Sequence, residues 1–428
     1  MVILTSFVPS TPKPSDSSGQ RRLFRGWWIV AVAIVGQSFS IGTLLVYTFG
    51  VFAKPLASEF KTTRGAIAIA VGLLDLLVVF AAPVAGRLAD RYSARRVIVI
   101  SALALASCLV GLSFAQPPLW HLYGLYALAG LAGVATSPVT YSRVVANWFD
   151  RKRGLALGMA STGVGLGAFI VPSLAQFLID ETGWRGAYLG LGAVSLAAVP
   201  LVGLFLRASP KEVGLVPDGE SASGARTSSV EPPPGMTFAE ALRTRVFWQL
   251  CAIFFGVAAC VNGAVAHLSP LLTDHGVSGR SAALAVSLFG AASIVGRVGN
   301  GFLVDRFFAP RVTAVLFAGA AAGIAIVWSG GTGNAAFVTA ALLGLAIGAE
   351  SDVMPFLISR YFGMRSMAEL FGCVFSAYVL GNATGRYLFA ASFDATGSYR
   401  LPLACAFFGL VAAVIATLAL GKYEGAPK

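Results

Sequence analysis

Apolar residues run along the chain in blocks of about 20, the length at which a helix crosses roughly 30 Å of hydrocarbon. The blocks start near Trp27, Ala66, Val97, Trp120, Gly154, Gly186, Phe247, Ala282, Val312, Ala335, Ala368 and Leu401, with short polar clusters between them. This pattern predicts an all-α membrane protein with twelve transmembrane helices. The stretch ahead of the first block, MVILTSFVPSTPKPSDSSGQRRLFR, is Ser/Pro-rich and basic and lacks an apolar region followed by a small-residue cleavage site. Residues 1–25 are therefore expected to form a disordered cytoplasmic tail ahead of a retained first helix.

The distribution of positive charge tests that count, because cytoplasmic loops collect lysine and arginine. With the amino terminus inside, 22 of the 31 Lys and Arg residues fall in cytoplasmic segments and 6 in outer ones, and Arg143, Arg297 and Arg386 lie within spans. Twelve helices with both termini in the cytoplasm fit this asymmetry. Composition agrees: 57% of residues are hydrophobic and 12% charged, where soluble domains carry about 25% charged residues. The net charge of +12 sits in short inner loops, where topology and the anionic lipid leaflet account for it, and no nucleic-acid motif accompanies it. The five cysteines all fall in spans at no metal-ligand spacing, so neither a metal site nor a disulfide framework is expected.

The longest polar stretch, residues 208–245, separates spans six and seven. Its middle is linker-like, whereas its end, MTFAEALRTRVFW, turns to a short amphipathic pattern expected to lie on the inner membrane face. On either side the sequence repeats. GRLADRYSARR from Gly86 aligns with GFLVDRFFAPR from Gly301 at a constant offset of 215, placing Asp90 with Asp305 and Arg91 with Arg306. Two pseudo-symmetric six-helix bundles follow, at residues 26–207 and 239–421, joined by a cytoplasmic linker at 208–238 and followed by a cytoplasmic tail at 422–428. In each copy the glycine permits close helix approach, and the aspartate can cap a neighbouring helix amino terminus or pair with an arginine.

The repeated G-x-L-x-D-R-x-x-x-x-R resembles the signature loop of the major facilitator superfamily, and the likeness extends over the whole chain. It implies the fold of that family, rocking of two halves about a central site, and a gating role for Asp90, Arg91, Asp305 and Arg306. NWFDRKRGLALGMASTGVGLG, residues 147–167, is similar to the helix-five motif of the monocarboxylate porter family, carried by Phe149, Arg151, Arg153, Ala156, Gly158, Ala160 and Gly163. RGWWIV at Arg25, VYTFGVFAKPL at Val46 and GAESDVMPFLISRYFG at residues 348–363 resemble helices one and ten of its bacterial members. The GVGLG within the motif lies inside a span and follows no strand, and no phosphate-binding G-x-x-x-x-G-K-[ST] occurs, so no nucleotide is expected.

Charges at membrane depth single out a site. Arg297 precedes Asp305 by eight residues, about 12 Å of helix rise. Glu350 and Asp352 precede Arg360 by ten and eight residues, about 15 and 12 Å, and Asp75 precedes Gly86 by eleven, about 16 Å. A cation and three acids thus share the level at which secondary transporters hold their cargo. Arg297 reads either as a bidentate clamp for a carboxylate or as half of a structural ion pair with Glu350 or Asp352. The two are compatible, since an arriving carboxylate would displace an internal acid, which would then take a proton. In the family the arginine at this place in helix eight binds the substrate anion.

Glu350, Asp352 and Asp75 are the candidate proton carriers, with Glu350 foremost. Arg386 has two readings, a contact to a second carboxylate or a structural charge paired with Asp394. Arg143 is expected to face the inner vestibule or phosphates. Gln37, Tyr47, Ser161, Asn262, Ser293, Tyr378 and Asn382 are candidate cavity linings. His267 reads as packing, with titration as the alternative, and His121 and His275 fall in outer loops. The chain also departs from the family pattern. Ser293 stands where the animal carriers have an aspartate, Tyr47 replaces their helix-one lysine, and Tyr378 replaces the helix-eleven lysine of the oxalate exchangers.

The resulting expectation is secondary transport of a small organic monocarboxylate with a proton, by a monomer surrounded by lipid in a bacterial inner membrane. No cofactor, metal, nucleotide or nucleic acid is expected, and no catalytic set for an enzyme is present. Exchange of organic anions without net proton movement, and transport of another solute including drugs, stand as alternatives.

Overall fold

The computed structural model describes residues 24–219, 235–268, 271–272, 278–331 and 334–423. The amino-terminal tail up to residue 23, the middle of the linker, His275 and the last five residues lie outside them. The described residues are helical apart from connections and one isolated bridge between Gly235 and Gly363. Span one runs from Arg25 to Glu59 through a π-helical turn at Gly42–Val46. Spans two to four are Arg64–Arg91, Ala94–Ser113 and Trp120–Trp148. Spans five and six lie within Arg153–Phe205 as two helices that meet at Gly183, where the non-helical backbone (φ 72°, ψ 173°) suits a residue without Cβ. Spans seven to twelve are Arg245–Ala266, Gly279–Val304, Ala309–Trp328, Asn334–Tyr361, Met367–Thr396 and Arg400–Leu418.

Each helix starts within three residues of the expected position. Several open on an arginine just ahead of the apolar block, at Arg25, Arg64, Arg245 and Arg400. The guanidinium can reach the aqueous boundary while its stem lies along apolar surface. Thr63, Thr244 and Ser278 cap their helices by accepting the backbone amides of Ala66, Phe247 and Ser281. The expected amphipathic segment before span seven is a short helix, Phe238–Leu242, opened by a capping box of Thr237 and Glu240.

The two copies of the repeat join the halves at the ends expected to face the cytoplasm. Gly86 lies against the backbone carbonyl of Ala368 at the start of span eleven, and Gly301 against that of Gly154 at the start of span five. A Cβ at either place would run into the facing backbone. Beside each glycine the aspartate reaches across to a helix amino terminus. Asp90 accepts the Glu369 amide at 2.9 Å, and Asp305 accepts the Gly154 and Leu155 amides at 2.7 and 2.9 Å. These are orphan donors of a first helical turn, where a carboxylate is favoured. Burial raises the pKa of Asp305 above the ordinary aspartate value, while the two amides oppose the rise.

Further bonds close the same face. Arg360 donates to the Asp150 carbonyl at 3.0 Å and Arg153 to the Ser359 hydroxyl at 3.2 Å. These contacts close the two halves together at the end expected to face the cytoplasm. Arg143 departs from its expected place: it is buried in an ion pair with Asp90 at 2.9 Å instead of facing an open vestibule. Arg91 and Arg306 are exposed and lie over the rings of Tyr92 and Phe302.

Adding a side chain at the close approach is expected to open this face. Gly86→Val or Gly301→Val should speed maleimide labelling of Asn300→Cys, a position only 2% exposed here, by about tenfold, equivalent to roughly 1.4 kcal/mol. Labelling as slow as in the parent would show that the glycine contacts do not hold the inner side shut.

Candidate functional site

Span eight is pinched where Arg297 leaves it. Gly158 of span five packs on the Arg297 carbonyl, and Gly348 of span ten packs on the Ser293 carbonyl and the Arg297 amide. Small residues at these contacts let three helices approach closely, so the backbone that carries the guanidinium is clamped from both halves. The side chain turns to span ten. Its Nη1 donates to the Ser351 hydroxyl at 2.9 Å and meets Asp352 Oδ1 at 3.3 Å. Ser351 itself donates to the same Asp352 oxygen at 3.0 Å. Side-chain exposure is 12% for Arg297 and 1% for Asp352.

The other oxygen of Asp352, Oδ2, has no hydrogen-bond partner, and Ser161 of span five approaches the carboxyl from the opposite half. Glu350 is wholly buried beside Asn262 of span seven and within the field of Arg297, yet neither of its oxygens receives a hydrogen bond. Tyr378 of span eleven is within hydrogen-bond reach of Asn262 and within the electrostatic range of Glu350, Arg297 and Tyr47 of span one. Tyr47 is half exposed. Arg297, Glu350, Asp352, Asn262, Tyr378 and Tyr47 therefore converge between the halves, although they come from five different spans.

Other candidates lie elsewhere. Asp75 does not reach Arg297; it pairs with Arg386 at 3.4 Å across the two halves. That contact also replaces the pairing with Asp394, which stands eight residues, about 12 Å, further along the same helix as Arg386. Ser293 bonds back to the Gly290 carbonyl at 2.8 Å, and Gln37 ties span one to the Ala160 carbonyl at 3.1 Å instead of lining the cavity. His267 packs against Phe389 and reaches the Tyr399 hydroxyl and the Arg386 carbonyl. Asn382 is half-buried on span eleven between Tyr378 and Arg386. Sequence reasoning passed over Ser351, whose one signal is a hydroxyl between two acids in GAESDV. Among the described residues no group of three or more His, Cys, Asp or Glu is arranged to hold a metal ion.

Comparison with known proteins follows the same lines. A family model described as the Major Facilitator Superfamily matches residues 28–386. Mouse monocarboxylate transporter 11 is 28% identical over 432 residues, covering 98% of this chain and 90% of the mouse protein. An uncharacterized MFS-type transporter of Escherichia coli (strain K12), YhjX, is 26% identical over 371 residues, covering 83% and 85%. The solved structure of the proton:xylose symporter XylE bound to 6-bromo-6-deoxy-D-glucose superimposes with a TM-score of 0.70 at 12% identity, covering 91% of this chain and 94% of that one. The human organic anion transporter MFSD10 gives 0.66 at 12% identity, covering 92% and 99%. At such identities the two structures share the fold and carry no information on cargo.

Removing one member of a buried ion pair strands the other, at a cost of about 3–5 kcal/mol. Arg297→Gln should therefore lower the melting temperature of the purified protein clearly, and Arg297→Gln combined with Asp352→Asn should recover a large part of the loss. Additive losses in the double variant would mean that the two groups do not interact in solution.

Proposed function

The chain belongs to the major facilitator superfamily, and from that premise we propose that it is a secondary transporter of a small organic monocarboxylate, moved together with a proton by alternating access. It is an integral membrane transporter related at modest identity to proteins named monocarboxylate transporters. The observation that carries the finer reading is the Arg297 guanidinium, held within the membrane-spanning bundle by one carboxyl oxygen and one hydroxyl of span ten.

The chemistry follows from what a guanidinium accepts. Its planar fork of donors matches a carboxylate bidentately and keeps its charge at any physiological pH. Asp352 occupies one branch of that fork through a single oxygen. A cargo carboxylate offers two oxygens and takes its place on Arg297. The displaced Asp352 is then an uncompensated anion in a buried site, and a proton restores neutrality. Glu350, two residues away and equally enclosed, is the neighbouring group to receive it. Asp75 is engaged with Arg386 and stands outside this exchange.

Tyr47, Asn262 and Tyr378 surround the position a small acid would take, supplying hydroxyl and amide groups with aromatic surface for its apolar part. Groups of that kind beside a guanidinium suit a short monocarboxylate better than a sugar. Release inward requires the Asp90 and Asp305 contacts to part so that the halves can rock about the occupied site. The excess of positive charge in the expected inner loops supports cytoplasmic termini, and a single chain holds both halves of the site, which supports a monomer as the working unit.

Proteoliposome uptake of labelled lactate, pyruvate, formate, acetate, oxalate and short aromatic acids, with and without an imposed pH gradient, tests the reading. Gradient-driven uptake of at least one acid is expected. Arg297→Gln should reduce it roughly 10- to 100-fold, the loss of a charge-assisted hydrogen-bond pair worth about 1.5–3 kcal/mol. Flux indifferent to Arg297 would make the arginine a structural charge, and flux indifferent to the pH gradient would point to exchange without net proton movement.

A further inference from the structure

The clamp accounts for Arg297 but leaves a second guanidinium inside the membrane without a role. Arg386 stands ten residues before the outer end of span eleven at Thr396, and Asp75 stands eleven residues after the outer start of span two at Arg64. Each is therefore about 15 Å from the outer end of its helix. They belong to opposite halves and meet through a single contact of 3.4 Å. Inward of them the two helices are fastened together, by the Ser376 hydroxyl on the Val79 carbonyl and by Asp90 on the Glu369 amide.

Distance from that fastening gives the level. Arg386 is 17 residues outward of Glu369, about 25 Å, whereas Arg297 is 8 residues outward of Asp305 in the matching contact, about 12 Å. Arg386 thus stands a little over 10 Å outward of the clamp, on the side away from those fastenings. Its side chain is 42% exposed, against 12% for Arg297. A guanidinium at this depth avoids hydrocarbon, and its contact with an acid of the other half aims it into the space between them. One long contact leaves most of its five donors available, where a carboxylate would make two parallel hydrogen bonds.

The helix also leads from one arginine to the other. Asn382 is four residues inward of Arg386 and Tyr378 four residues inward of Asn382, a spacing that sets the three on successive turns along neighbouring parts of one face. Tyr378 lies within the electrostatic range of Arg297. An amide and a phenol hydroxyl therefore lie on the path between the two guanidinium groups.

We propose that Arg386 is an outer capture site for the carboxylate cargo, and that Asp75 is a built-in competitor that occupies it when cargo is absent. This deepens the monocarboxylate reading above and rests on it. An arriving acid displaces Asp75 from Arg386, passes Asn382 and Tyr378, and reaches Arg297. Capture also releases the outermost of the described ion pairs that join the halves. Replacing the two partners should act on outer affinity in opposite directions, whereas a merely structural pair would respond alike to loss of either side.

Phenylglyoxal modification of the purified full-length protein, read by peptide mass spectrometry, reports on both arginines separately. Pyruvate, lactate, acetate and benzoate should slow modification of Arg386 in the wild type and also in Arg297→Gln, chloride should not, and Asp75→Asn should speed it severalfold in the absence of acid. Protection of Arg297 with none at Arg386 would overturn the capture site and leave the clamp standing. Protection of neither would overturn both, and an Arg386 rate unchanged in Asp75→Asn would overturn the competitor role. In oriented proteoliposomes Arg386→Gln should raise the outer-face KM about tenfold, the weight of a charge-assisted contact, with the inner-face value unchanged. An equal shift on both faces would count against capture from outside.

Discussion

A guanidinium cannot be left unpaired in a medium that solvates it poorly, and much of the site in this protein can be understood as the accommodation of Arg297. Asp352 neutralises it, and Ser351 holds both the donor and the acceptor at hydrogen-bond distance. That pairing in turn requires spans eight and ten to lie close together. Glycines at the contacts make this possible, Gly348 on one side and Gly158 of the opposite half on the other. The same close packing that fixes the charge also brings Tyr47, Ser161, Asn262 and Tyr378 around it, so the polar centre and the helix contacts are one arrangement.

At the inner ends the protein uses a different device twice. A glycine admits a facing backbone, and an aspartate four residues later accepts the free amides of the helix that has been admitted. Because the acceptor is a side chain and the donors are backbone groups, the bond needs only that a helix begin at that place. Duplication therefore supplied two such contacts, between spans two and eleven and between spans eight and five, without requiring matched side chains. The arginines following each aspartate are spent on exposed aromatic rings instead.

Much of this was legible along the chain. Apolar blocks of span length located the helices to within three residues, and the offset repeat located the aspartates that bridge the halves. Arg297 stood out because a charge in such a block demands a partner. Depth could be measured with helix rise, but direction around the helix axis could not. Glu350 and Asp352 are two residues apart and so point about 200° away from one another, and only the packing of spans seven, eight and eleven decides which of them meets the arginine. Asp75 and Arg386 are separated by 311 positions, and Arg143 is buried because Asp90 reaches it from another helix. Such pairings are properties of the assembled bundle. The break between spans five and six was legible too: the polar cluster before Gly186 contains Gly183, where the helix is interrupted.

Arg297 and Asp352 are both carried by the carboxy-terminal half, and this has an electrical consequence. When the halves rock, the two charges travel as one neutral body. Carrying a single elementary charge through a membrane potential of 100 mV involves about 2.3 kcal/mol, and a lone arginine on a moving half would make the return of the empty protein answer to voltage. An ion pair confined to that half removes this contribution, so the clamp itself adds no net charge to the return of the unloaded molecule.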